Sequence, residues 1–176
     1  MCEIEVNEEI YNDSMQIANG TFSPVNAFMN KEQIELVLNE NTFEDIASWT
    51  IPIIFQINEK NIKEMPNSGT VYLKRVNENH PYAILIVKKI ERLENKKKLA
   101  KLWFGTEDIR HPGVYKFLSS GDYIISGKPY ILNSYYRITS NKYELTPLQS
   151  RFVFDHNGWH NICLLYTSPS PRDLYR

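Results

Sequence analysis

The sequence predicts an α+β domain, built on a small curved sheet or open barrel with short flanking helices. Short segments rich in β-branched and aromatic residues alternate with segments of helical apolar spacing, and no βαβ unit is repeated. The composition, with 42% hydrophobic and 23% charged residues, is that of a globular protein. A length of 176 residues suits one domain or slightly more, with a substantial core.

The N-terminal region predicts two helices after an irregular start. Met1–Asn12 is acidic and uneven, so we expect an uncertain segment that is frayed or incomplete. Asn12 or Asp13 can cap a short helix that Asn19-Gly20 ends. Asn30–Gln33 has the residues of a capping box, and a helical apolar stripe follows it at Ile34, Val37 and Leu38.

The middle of the chain predicts a strand and then a β-hairpin. Thr50–Ile57 is β-branched and aromatic, and its proline indicates a strand edge or bulge. Asn58–Met65 suits a short helix, and Pro66–Gly69 suits a turn. Thr70–Val76 and Pro81–Ile90 are predicted strands on either side of a polar link, which is the pattern of a hairpin.

The following segments predict two helices and two strands. Lys96–Trp103 is amphipathic and helical, and Gly105–Gly113 is a loop. Val114–Leu118 is predicted to be a short helix that ends before Gly121. Asp122–Ile138 is predicted to form two short strands around Gly127-Lys128-Pro129.

The C-terminal region begins with strong helix-start signals. Thr146 can cap a helix, Pro147 suits its first position, and Gln149 can complete a capping box. Gly158 is placed to end this helix, and Trp159–Ile162 has the character of a chain entering a strand. The segment 145–162 is therefore predicted to lead from the domain at 13–144 into a further α/β domain.

The last fourteen residues, Cys163–Arg176, have prolines and serines that are incompatible with a buried strand. Back-translation of Cys163–Asp173 can match a common transposase-type sequencing adapter. We therefore interpret this segment as an adapter artefact, with a genuine disordered C-terminus as the alternative.

Charge and cysteine content exclude several functional classes. The net charge of -1 and the pI of about 6.4 provide no basic field for nucleic acid or anionic membranes. Cys2 and Cys163 lie at opposite ends of the chain, which argues against a disulfide framework and favours a reducing compartment. No stretch has the length of a membrane span, so we expect a cytoplasmic protein.

No motif in the sequence builds an active site. The four histidines lack zinc-ligand spacing, and there is no Walker loop, dinucleotide fingerprint or nucleophile elbow. The densest polar cluster is the loop Gly105–Val114, where Thr106, Asp108, Arg110 and His111 could present a binding surface. We favour a structural role, in which Thr106 and Asp108 bond the loop's own backbone.

Three sequence blocks together resemble the N-terminal domain of ATP sulfurylase (sulfate adenylyltransferase). They are Gly20–Pro24 with Phe28-Met29, the loop Gly105–Val114, and Leu145-Thr146-Pro147 running to Gly158-Trp159. Their order and spacing match over nearly all of residues 10–162. The resemblance implies a β-rich, PUA-like open barrel that precedes a catalytic nucleotidyltransferase domain.

The resemblance also implies what this chain lacks. The family joins ATP and sulfate into adenosine 5'-phosphosulfate and pyrophosphate with magnesium, using Gln-x-Arg-Asn-Pro-x-His and a later His-x-x-His-like motif. Neither motif occurs in this sequence, so no catalytic, cofactor-binding or metal-binding residue is assigned, and we expect no adenylyltransferase activity. ATP and magnesium are expected for the full-length enzyme only, which is a candidate homo-oligomer.

The expected partner is the missing catalytic domain. Candidate residues of the surface between the two domains are Thr106, Asp108, His111, Phe152 and Trp159. The alternative function is a free-standing PUA-like RNA-binding module, because related folds bind RNA. The near-neutral charge and the lack of a basic stripe argue against nucleic acid as a partner.

Overall fold

A five-stranded sheet organises the computed structural model, which describes residues 2–62, 65, 69–133, 135 and 145–163. Within these residues the strands are β1 Glu3–Val6, β2 Thr42–Phe43, β3 Ala47–Ser48, β4 Gln56–Ile57, β5 Gly69–Arg75, β6 Ala83–Arg92 and β7 Tyr123–Ile131. The helices are α1 Glu8–Ala18, α2 Lys31–Glu40, α3 Glu59–Ile62, α4 Lys96–Phe104, α5 Pro112–Ser119 and α6 Pro147–His156. The chain divides into two units, 1–144 and 145–176.

The large sheet has the strand order β1-β5-β6-β7-β4, and β2 and β3 form a separate pair. The central strands β5, β6 and β7 are antiparallel neighbours, whereas β1 runs parallel to β5. The register between β6 and β7 shifts between Val87 and Lys89, where a bulge bends the sheet. This curled half-barrel with flanking helices confirms the predicted α+β fold.

The core lies on one face of the sheet, because apolar side chains alternate along its strands. Val71 and Leu73 of β5 and Leu85 of β6 are fully buried. The buried Ser14 of α1 donates its hydroxyl to the Ile10 carbonyl at 2.6 Å and accepts from the Tyr82 hydroxyl at 3.1 Å. These two polar side chains are therefore satisfied inside the core.

Local signals for the helices are confirmed. Asn30 and Gln33 form a complete capping box at the start of α2, and Thr146 and Gln149 form another at the start of α6. Gly158 has a φ of +66°, as expected for a residue that ends a helix. The hairpin is also confirmed, since β5 and β6 pair in antiparallel register.

The N-terminal segment differs from the prediction of a frayed start. Ile4 and Val6 alternate with exposed glutamates, and β1 adds to the edge of the sheet beside β5. The cap of helix α1 is Asn7, whose side chain accepts a hydrogen bond from the Ile10 amide at 3.0 Å, so the helix begins at Glu8 and the predicted cap at Asn12 or Asp13 is wrong. Contacts with β5, which lies far away in sequence, stabilise this short strand.

Two strand predictions are corrected. Most of Thr50–Ile57 is buried but unpaired in the ladder, since Pro52 has no amide hydrogen and only Gln56–Ile57 forms β4. The predicted break at Gly127 does not exist, because β7 is one strand through that glycine. A Cβ at Gly127 would lie 2.4 Å from the Ile86 carbonyl oxygen, so glycine permits close strand approach here.

The remaining predictions concern the ends and links of the chain. Trp159–Ile162 forms no strand. The turn at Pro66–Ser68, the end of the predicted strand at 136–138, and residues 164–176 of the adapter segment lie outside the described residues. No helix in the described part of the chain has the length and apolar composition needed to cross a bilayer.

Lys96 has a structural role that the sequence did not predict. Its side chain is only 11% exposed, and its Nζ donates to the carbonyls of Leu118 at 2.9 Å and Ser120 at 2.7 Å. The same ammonium group lies 3.1 Å from the Asp122 carboxylate. A lysine here satisfies carbonyls that the end of α5 leaves free, and so joins α4 to α5.

Candidate functional site

The loop between α4 and α5 bonds mainly to itself. The Thr106 hydroxyl accepts from the Asp108 amide at 3.1 Å, and the Asp108 carboxylate accepts from the Arg110 amide at 2.9 Å. The Arg110 guanidinium also binds this carboxylate, at 2.8 Å from Nε and 2.6 Å from Nη2. These hydrogen bonds to Arg110 hold the pKa of Asp108 below its usual value. This geometry agrees with the favoured structural role of the loop.

His111 positions the start of α5. Its Nδ1 accepts a hydrogen bond from the Val114 amide at 3.3 Å. The imidazole ring also lies 5.4 Å, between centroids, from the Phe104 ring. His111 therefore supports an aromatic side chain at the end of α4 and caps the helix that follows.

The second unit exposes apolar side chains around α6. Phe152 is 70% exposed, Leu148 is 75% exposed and Trp159 is 55% exposed. The predicted interdomain surface thus consists of Thr106, Asp108 and His111 in one unit and of Phe152 and Trp159 in the other. A shared surface formed by these five residues stays a prediction.

The first unit contains a cleft of about 480 Å³, which we call the aromatic cleft. The aromatic side chains lining it are Phe22, Trp49, Trp103, Phe104 and Phe117. Trp103 stacks on Phe104 with ring centroids 4.7 Å apart, and Phe22 meets Trp49 edge to face at 6.0 Å. Such packed aromatic walls form a rigid apolar surface.

Three charged side chains, Glu9, Asp13 and Lys116, also line the aromatic cleft. Glu9 and Asp13 lie one turn apart on α1, and the Glu9 carboxylate binds Lys116 Nζ at 2.7 Å. Burial raises the pKa of Asp13 to about 6, with a further contribution from the negative charge of Glu9. The positive charge of Lys116 offsets part of this shift, and no hydrogen bond from the described residues adds to it.

We expect Asp13→Asn to stabilise the domain at pH 7 by up to about 2 kcal/mol, after allowance for solvent screening. Because the folded-state pKa lies above the unfolded value, the folded state binds the proton more tightly. The stabilising contribution of the protonated Asp13 is therefore complete only below about pH 4 and is lost as the pH rises through about 6. Urea unfolding at pH 4 and pH 7 measures the effect.

The control for this prediction is Asp45→Asn, which removes an exposed carboxylate in the turn between β2 and β3. Asparagine tolerates the positive φ of +55° at this position, so we expect a stability change within about 0.5 kcal/mol at either pH. An Asp13→Asn gain that is equally large at pH 4 and pH 7 would contradict the assigned cause.

Sequence reasoning missed the aromatic cleft, although two of its signals were visible. Trp49 precedes an apolar run that contains a proline, and Trp103-Phe104 ends an amphipathic helix. The cleft also joins two blocks of the family resemblance, since Phe22 comes from the first and Gly113 from the second. The described residues contain no group of three or more histidine, cysteine or acidic side chains that could hold a metal ion.

The fold and these sequence blocks define the class of the protein. A PUA-like domain family model matches residues 1–134, and the chain belongs to this family. A solved structure, the hexameric APS kinase from Thiobacillus denitrificans, shares the fold with a TM-score of 0.55 at 16% identity, over 90% of this chain and 27% of that one.

Sequence similarity to curated proteins identifies the relatives of this chain more narrowly than the fold does. The chain is 32% identical over 174 residues to the sulfate adenylyltransferase of Ignicoccus hospitalis, covering 97% of this chain and 44% of that protein. It is 33% identical to the sulfate adenylyltransferase of Thermococcus onnurineus, covering 90% of this chain and 40% of that protein. It is 34% identical to the sulfate adenylyltransferase of Persephonella marina, covering 94% of this chain and 43% of that protein. The chain thus spans less than half the length of these relatives, and it matches their N-terminal part.

Proposed function

We propose that this chain is the N-terminal PUA-like module of a sulfate adenylyltransferase, with a structural role and no adenylyltransferase activity of its own. The observation that carries the proposal is the similarity to such enzymes over at least 90% of this chain. The confirmed PUA-like fold is the one that the family resemblance implied.

The chemistry of the first unit supports a structural role. Attack of sulfate on the α-phosphate of ATP requires cations and hydrogen-bond donors arranged around the transferring group. The aromatic cleft instead presents two carboxylates, and its single lysine is already paired with Glu9. We therefore propose that ATP and magnesium bind to the nucleotidyltransferase domain of a full-length enzyme, and that this enzyme is cytoplasmic.

The partner that we propose is this nucleotidyltransferase domain, and the surface that would contact it includes the apolar residues around α6. Phe152 and Trp159 expose large aromatic side chains, and exposed apolar patches often mark sites of protein interaction. Thr106, Asp108 and His111 are proposed as the contribution of the first unit. Assembly of the full-length enzyme into a homo-oligomer is a further part of this proposal.

A chimera tests the proposed function. Residues 1–162 of this chain would replace the matching N-terminal part of the Thermococcus onnurineus sulfate adenylyltransferase. We expect no sulfate-dependent ATP–pyrophosphate exchange from the chain alone, and clear exchange from the chimera. Exchange catalysed by the isolated chain would contradict the structural role, and a folded but inactive chimera would contradict the proposed partnership.

Within the chimera, Phe152→Ser tests the proposed surface. We expect lower activity or looser domain association, because this change removes an exposed aromatic side chain from the contact. The matched control is Ile46→Ser, since Ile46 is 68% exposed in the turn between β2 and β3 and lies outside the proposed surface. Equal effects of the two variants would argue against a contact at Phe152.

The RNA-binding alternative receives little support from the surface. The run Lys96-Lys97-Lys98 offers only two exposed lysines, because Lys96 binds carbonyls at the end of α5. Single-stranded RNA recognition normally combines a basic groove with exposed aromatic side chains. A salt-dependent RNA shift at micromolar protein would favour this alternative over the structural role.

A further inference from the structure

The aromatic cleft has the dimensions of a small-molecule site. Its volume of about 480 Å³ lies within the range of typical ligand pockets. Its walls come from separate parts of the first unit, including α1, the end of α4 and α5. Packing between these elements keeps the walls in place, so a ligand would meet a preformed surface.

The charges in the aromatic cleft favour a cation. Glu9 and Lys116 neutralise each other across a distance of 2.7 Å. The two carboxylates and one ammonium group of the lining sum to one net negative charge. The Asp13 carboxylate accepts no hydrogen bond from the described residues, and the charge of Lys116 offsets only part of its raised pKa. An anionic ligand such as a phosphate would be repelled by this carboxylate and would find the lysine already paired.

The aromatic walls favour the same kind of ligand. The faces of Trp and Phe rings attract ammonium and guanidinium groups, and Trp is the strongest of these partners. Trp49 and Trp103 both line the cleft together with Asp13. A carboxylate and aromatic rings that line one partly enclosed space are complementary to a positive charge carried on an apolar group.

We propose that the aromatic cleft binds a small organic cation, an ammonium or amidinium group attached to a ring or short apolar chain, with Asp13 as its counter-ion. This site is independent of the proposed role in sulfate adenylyltransferase, because it uses residues of the first unit alone. The cation would lie beside the Asp13 carboxylate, and its apolar part would pack on the aromatic walls.

Three probes of the same shape test this inference on the full chain at pH 7.5. They are phenethylammonium, the neutral 2-phenylethanol and the anionic phenylacetate, each titrated by calorimetry and by amide and indole NMR shifts. We expect phenethylammonium to bind at least about tenfold more tightly than 2-phenylethanol and to shift the indole signals of Trp49 and Trp103. Phenylacetate is expected to bind more weakly than both.

The variant Asp13→Asn tests whether the preference for the cation depends on the Asp13 charge, because it removes that charge and nearly preserves the shape of the cleft. We expect this variant to bind phenethylammonium and 2-phenylethanol with about equal affinity, because the tenfold preference for the cation is lost while 2-phenylethanol binding is unchanged. Asp45→Asn, which removes an exposed carboxylate outside the cleft, is expected to keep the full preference. Because Asp13→Asn is expected to stabilise the fold, lost binding in this variant would not reflect unfolding.

Several results would overturn the inference. They are the absence of phenethylammonium binding at about 10 mM ligand, equal binding of the cation and the neutral probe, or a preference for the cation that survives Asp13→Asn. Shifts confined to residues outside the cleft would overturn it as well. None of these results depends on adenylyltransferase activity, so failure here is distinguishable from failure of the proposed function.

Discussion

Replacing Phe28 with alanine is expected to lower the free energy of unfolding by about 3–5 kcal/mol. Phe28 is fully buried, and its ring meets the ring of Phe55 edge to face with centroids 5.2 Å apart. Truncation of the Phe28 side chain would leave a cavity beside Phe55 and remove the aromatic pair. Since domains of this size are stabilised by about 5–15 kcal/mol, the loss would be a large part of the total.

The backbone at Phe28 makes the cavity hard to close. Its amide donates to the Gly127 carbonyl at 2.9 Å, which holds the segment against β7. Thermal and urea unfolding, followed by tryptophan fluorescence, measure the effect. The control is Phe152→Ala, because that side chain is 70% exposed and should change stability by less than about 0.5 kcal/mol. Similar losses for the two variants would contradict the assigned burial of Phe28.

Gly121→Ala is expected to cost about 3 kcal/mol or to prevent folding. A Cβ at this position would lie 1.9 Å from the Ile57 carbonyl oxygen and 2.4 Å from the Asn58 amide nitrogen. These are backbone atoms at the end of β4, so relief requires the strand to move away from β7. The Gln56 side chain also donates to the Gly121 carbonyl at 3.0 Å, and movement would strain this bond.

Gly113→Ala is the matched control for this prediction. Its Cβ would meet the Phe104 ring at 2.6 Å, but a packed side chain can shift at a lower cost than a backbone segment can. Alanine also favours the helix α5 by about 1 kcal/mol relative to glycine, which offsets part of the cost. The soluble yield and urea midpoint of both variants are the measurements. A greater loss for Gly113→Ala than for Gly121→Ala would contradict the close backbone contact at Ile57.

The successful sequence predictions rest on interactions between near neighbours in the chain. Asn30 bonds with Gln33, and Thr146 bonds with Gln149, so each capping box is complete within four residues. The β5–β6 hairpin likewise joins adjacent segments. The self-bonded loop at Asp108 belongs to the same group, because its partners Thr106 and Arg110 lie two residues away.

The unsuccessful predictions involve partners that are distant in sequence. Ile4 and Val6 form a strand because β5 lies beside them, and β7 continues through Gly127 because β6 and Phe28 both bond to it. The strand propensity of a segment gives no information about partners that are distant in sequence. The aromatic cleft is the strongest example, since no short stretch of sequence contains both Asp13 and Trp103.

The sequence by itself determined the α+β class, the helix starts, the hairpin and membership of the PUA-like family, because these depend on local hydrogen bonds, apolar spacing and recognisable blocks. Only the tertiary structure decided which strands lie at the two edges of the sheet, which groups Lys96 binds, and that Asp13 lines the same cleft as the aromatic side chains. The physical reason is that burial, and the pKa shift that it causes, arise from neighbours that packing brings together rather than from neighbours in the chain.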